Sequence, residues 1–159
     1  MDMRAATALM GHMGLELNLL TERQGDLDTL KSAIVLHKRH RALLHDGDLV
    51  RIDTAPQIIA SGVIARDRSE ALYSVAYVLS DPQVLPERVR FAGLDPDRNY
   101  LVKLIWPTIW QAIKGPSAIE KLGLNQDGAT LSGAALMHGG LQLPHAHPET
   151  CLLFYVEAI

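Results

Sequence analysis

At 159 residues with 48% apolar side chains, the chain has the size and composition of one ordinary globular domain. Its 15 Lys and Arg against 18 Asp and Glu leave it slightly acidic, and no segment concentrates positive charge, which excludes a phosphate-backbone partner such as nucleic acid. No stretch reaches the roughly 18 uninterrupted apolar residues of a membrane span. The one cysteine, Cys151, sits in an apolar run where it reads as a buried, inert thiol, so a cytoplasmic protein is expected.

In chain order, Met1 to Met10 reads as a helix rich in Ala5, Ala6, Ala8 and Leu9, with no residue to cap its start. Gly11-His12 ends its apolar run too early for a signal peptide, so no targeting segment is expected. From Gly11 to Leu20 apolar and polar residues alternate, with Leu15, Leu17 and Leu19 on one side, which is strand spacing. Asp26 is suited to cap a helix running to His45, whose stripe holds Leu27, Leu30, Ile34 and Arg41, widened by Ala33, Leu36, Leu43 and Leu44. Basic residues crowd its last turns, and Gly47 follows as an expected left-handed cap.

After Gly47 the pattern is that of strands. Asp48 to Asp53 is a short one, and Ile58 to Leu79 is a hairpin around the polar turn Arg66 to Ser69, the scaffold beside which the later segments are laid. Two prolines keep Asp81 to Pro86 out of a sheet. Arg88 to Phe91 and Tyr100 to Trp106 are strands separated by the turn-rich Gly93 to Asn99. Pro107 to Gly128 is irregular with a short helix near Ile119 to Leu122. Thr130 to Met137, Gly140 to Pro144 and Thr150 to Glu157 close the chain, the last apolar enough to be central. This succession describes a mainly β fold, an antiparallel β-sandwich.

Several groups invite a chemical role. His138, His145, His147 and Glu149 could hold a metal, but the spacing is that of an exposed loop. Trp106 and Trp110 could stack on a sugar, against the simpler task of covering a sheet end. Ser61-Gly62 and Ser132-Gly133 lack the strand, turn and glycine spacing of a nucleophile elbow, and read as places where backbones approach closely. The acidic residues Glu16 and Asp26, Asp46 and Asp48, and Asp95 and Asp97 flank turns and caps, and none forms the facing pair that glycoside hydrolysis needs, about 5 to 5.5 Å apart in a retaining enzyme. No residue is nominated as catalytic, cofactor-binding or metal-ligating, and no cofactor is expected.

Taken together, Arg4 to Leu20, the helix end Lys38 to His45, Asp67-Arg-Ser-Glu-Ala-Leu72, Gly93-Leu-Asp-Pro96, Ser132-Gly-Ala-Ala-Leu-Met137 and Gly140-Leu-Gln-Leu-Pro144 resemble the C-terminal end of the α-galactosidases of glycoside hydrolase family thirty-six, the melibiose and raffinose hydrolysing type. The resemblance implies that residues 1–46 are a remnant of a catalytic (β/α)8 barrel and that 47–159 are a C-terminal antiparallel β-sandwich. Met1 to Met10 would end the seventh barrel helix, Gly11 to Leu20 would be the last strand, and Asp26 to His45 the last helix. It also implies that both catalytic aspartates lie upstream of Met1, so the chain alone is expected to be inactive, with an α-galactoside bound only by the full enzyme. Self-association or pairing with the missing barrel portion is expected, because one strand cannot close a barrel. The alternatives are an autonomous carbohydrate-binding or oligomerisation module and a gene fragment with no role of its own.

Overall fold

The computed structural model describes residues 1–80, 87–107, 118–143 and 146–159. Two helices lead, α1 (Asp2–Leu9) and α2 (Gln24–Asp46). The strands β1 (Asp48–Ile52), β2 (Ile58–Ile64), β3 (Glu70–Tyr77), β4 (Arg88–Val89) and β5 (Asn99–Trp106) follow, then the short α3 (Ala118–Lys121) and β6 (Ala129–Ser132), β7 (Leu141–Gln142) and β8 (Thr150–Ala158). Six strands form one sheet in the order β1-β2-β3-β8-β5-β6, and β4 pairs with β7 in a separate ribbon. All of these pairings are antiparallel.

The predicted hairpin is β2–β3, with Ile64 opposite Ala71 and the turn closed by Arg68 N–H to Ala65 O at 2.8 Å. The last strand is central, as its apolar run implies, lying between β3 and β5. Its two faces explain that run, because side chains alternate across a strand and both sides here are covered. Leu152, Phe154 and Val156 join Tyr73, Val75, Tyr100 and Val102 in a core closed by Val89, Phe91, Leu94, Leu136 and Leu141 of the ribbon layer. Cys151 and Leu153 join Leu72, Val63 and Trp106 in a second core, closed by Ala5, Ala6 and Leu9 of α1 and Ala33 and Leu43 of α2. The architecture is therefore an antiparallel sheet with a ribbon and loops on one face and two helices on the other.

Four expectations need correction. Gly11–Leu20 forms bends and then one turn of 3-10 helix at Leu19–Thr21, not a strand. Alternation there is real, but among the described residues no strand pairs with it, and Leu20 is 95% exposed. Asp26 does not cap α2; Arg23 holds that position, and Asp26 sits in the first turn, where its Oδ2 accepts from Arg23 Nε at 3.0 Å. Gly47 is extended (φ −76°, ψ 165°), not left-handed. Glycine is required there by space, since a Cβ would lie 2.7 Å from the Leu43 carbonyl oxygen and 2.7 Å from Val63 Cγ1. The strand expected over Thr130 to Met137 stops at Ser132, and a π turn, Ala135–Gly139, takes its second half. At the start of that turn the Ser132 hydroxyl accepts from Ala135 N–H at 3.1 Å.

Candidate functional site

The residues with chemical potential do not converge. His138 and His147 are exposed, Glu149 is an exposed residue at φ 67° whose N–H donates to Tyr77 O, and His145 lies outside the described residues. Among the described residues no group of three His, Cys, Asp or Glu side chains is placed to hold a metal ion. Trp106 is fully buried and its indole N–H donates to Asp2 O at 3.2 Å, so its ring offers no face to a sugar. A β-bulge puts it there: Leu104 pairs with Phe154 but Trp106 pairs with Leu153, so one extra residue turns the indole toward α1. Trp110 lies outside the described residues.

The serine-glycine pairs serve packing. Gly62 faces Tyr73 across β2–β3, and a Cβ would run into the Tyr73 ring. Gly133 lies against Asp95, whose carbonyl oxygen would clash with any Cβ. Asp95 Oδ1 accepts from Asp97 N–H at 3.1 Å while its Oδ2 faces Arg98 Nε at 3.5 Å, an Asx turn with a local ion pair. The Tyr100 hydroxyl accepts from Asp95 N–H and donates to Arg68 O, both at 3.0 Å, tying this turn to the hairpin turn. In that hairpin turn Asp67 Oδ1 accepts from the Ser69 hydroxyl and N–H, and these bonds hold its carboxyl below the usual range. Glu16, Asp46 and Asp48 are exposed.

Sequence reasoning missed one polar cluster, at the seam between α2 and the sheet. His40 is 5% exposed and its ring lies 4.7 Å from that of Tyr155, whose hydroxyl donates to Glu70 Oε2 at 2.8 Å. Burial pushes the His40 imidazole below its ordinary value, Arg39 adds to this, and Glu70 opposes it. Burial, then the Glu70 contact, pushes the Tyr155 phenol up. Glu70 is directly opposite Glu157 in the β3–β8 register, so two carboxylates do sit side by side, but on an open sheet surface where Glu70 is half-buried and Glu157 exposed. The signal for His40 was available: it lies seven residues after Ala33 and three before Leu43, on the buried stripe of α2. The Cys151 thiol, 3.3 Å from the Ser74 hydroxyl, is buried and pushed up by that burial. No described helix is long and apolar enough to cross a membrane.

Fold and polar clusters together define a sheet-rich domain built for packing, with its hydrogen-bonding groups spent on turns and seams. The chain belongs to glycosyl hydrolase family 36: residues 58–155 match the family's C-terminal domain. It is 34% identical over 158 residues to an α-galactosidase of Escherichia coli, covering 97% of this chain and 22% of that protein. It is 27% identical over 143 residues to the bifunctional α-galactosidase/sucrose kinase AgaSK of Mediterraneibacter gnavus, covering 89% of this chain and 13% of the relative. Among solved structures, the galactosidase domain of AgaSK superposes with a TM-score of 0.78 at 24% identity, covering 98% of this chain and 19% of that one. The α-galactosidase AgaB of Geobacillus stearothermophilus superposes with a TM-score of 0.76 at 23% identity, with the same coverages. The chain thus spans about a fifth of the length of these structures (19%).

Proposed function

We propose that this chain is the C-terminal portion of a retaining α-galactosidase acting on terminal α-galactosyl groups of oligosaccharides such as melibiose and raffinose, and that it is structural and not catalytic by itself. The observation that carries this reading is the end-to-end match to an α-galactosidase of which it covers only 22%. A retaining mechanism needs two carboxyl groups facing each other across a sugar. The acidic residues described above are instead committed to turns, a helix start, a tyrosine contact or solvent. In this reading residues 1–46 complete a barrel supplied by preceding sequence, 47–159 are the flanking sheet domain, and the assembled enzyme is cytoplasmic. The barrel portion would cover exposed apolar side chains on α2 and the loop before it, such as Val35, Leu19 and Leu20.

The test is complementation. The Escherichia coli relative, cut before its matching C-terminal segment, is co-expressed with this chain and assayed on a chromogenic α-galactoside. Recovery of activity together with co-purification is expected; an inactive barrel that does not bind the chain would contradict the reading. The alternative of an autonomous sugar-binding module is less favoured, because Trp106 is enclosed by α1 and the sheet.

A further inference from the structure

We propose that His40 is an acid-sensitive clasp between the helical layer and the sheet, and that protonating its imidazole releases α2 from β3 and β8 while the sheet stays folded. Among the described residues only His40 and Ser74 are polar and buried, and Ser74 does not titrate in the relevant range. Of the helix's 23 residues only Leu30, Ala33, His40 and Leu43 are buried; Leu36 and Leu44 pack on the edge of the second core, and His37 Nδ1 lies 3.3 Å from Leu9 O of α1. The sheet, by contrast, keeps another core on its far face to which neither α1 nor α2 contributes a side chain. Local opening at the less buried layer is therefore separable from global unfolding.

The surroundings decide the sign. From α2 itself Arg39 opposes a positive imidazole. From β3, Glu70 favours one, but its carboxylate already accepts the Tyr155 hydroxyl. From β8, Tyr155 covers the ring and Glu157 lies two residues further along the same face, while Lys103 of β5 is opposite Tyr155. The charged residues of α1, Asp2 and Arg4, are exposed. Removal from water outweighs the single helpful carboxylate, so the docked helix prefers the neutral ring. A histidine held neutral in the closed form and free to titrate in the open one contributes fully above its ordinary value of 6.5, and that contribution is lost as the pH falls below it.

Hydrogen exchange on the full chain at pH 7.5 and pH 5.0, corrected for the intrinsic rate, tests this. Exchange of α2 amides is expected to be several-fold faster at pH 5.0, with a ceiling of about thirtyfold set by a ring that never protonates while docked. The amides of Leu72–Val75 and Leu152–Phe154 should not change. His40→Phe keeps an aromatic ring against Tyr155 and cannot take a proton, so it should abolish the difference. Helix and sheet accelerating together, no acceleration in the wild type, or an unchanged difference in His40→Phe would overturn the clasp. Should His40→Phe not fold, NMR titration of the wild-type His40 ring decides: a midpoint below 6.5 that coincides with the loss of α2 protection supports the clasp, and one at or above 6.5 refutes it.

Discussion

Replacing Trp106 by alanine tests how the helices are held. The side chain is fully buried between α1 and the central strands, and its N–H is bound to Asp2 O. Truncating a buried Trp costs about 3–5 kcal/mol, of which the hydrogen bond accounts for about 1 kcal/mol. For a chain of this length each kcal/mol shifts Tm by about 2–4 °C, so Trp106→Ala should melt roughly 6–20 °C lower. Trp106→Phe, which keeps a ring but loses the donor and some volume, should cost only about 1–2 kcal/mol. Urea unfolding followed by far-ultraviolet circular dichroism gives the free energies, and hydrogen exchange locates the damage. Protection should fall first in α1, because the Trp106 indole is bonded to Asp2 O and shares the core of Ala5, Ala6 and Leu9. A loss below about 1 kcal/mol for the alanine variant, with α1 protection intact, would refute the reasoning.

Three further outcomes are expected. Gly133→Ala should cost about 1–3 kcal/mol in urea unfolding, because its Cβ meets the Asp95 carbonyl, which can yield only by moving backbone. Tyr155→Phe should cost about 1 kcal/mol by the same measurement through loss of the bond to Glu70, and Glu70→Gln in that background should add little, as for partners in one interaction. The Asp67 carboxyl should titrate below its ordinary 3.8 by NMR, so its contribution to stability is present above 3.8 and lost as the pH falls through the depressed value; Ser69→Ala should return the midpoint toward normal.

Much of the fold was legible because burial leaves a mark on composition. The unbroken apolar run from Cys151 to Val156 announced a strand covered on both faces, and the change of period after Gly47 marked the passage from α2 to β1. What could not be read depended on partners distant in sequence. Gly11 to Leu20 has a strand's alternation, but alternation is local whereas a strand needs another backbone beside it. Trp106 faces α1 only because a bulge at Ile105 shifts its register against β8, and nothing in the residues around it states that register. His40 was obscured by basic neighbours, Lys38, Arg39 and Arg41, which made the whole helix end look like a charged terminus. Its burial follows from the helical period once Ala33 and Leu43 are known to face the sheet.

The reading as the tail of an α-galactosidase turns on where the catalytic carboxyl groups reside. Incubating the purified 159-residue chain with a chromogenic α-galactoside measures this directly. Release of chromophore no faster than in buffer is the predicted result. Sustained turnover that scales with the concentration of the chain and disappears when it is unfolded would contradict the account, since it would require a working acid pair within these residues.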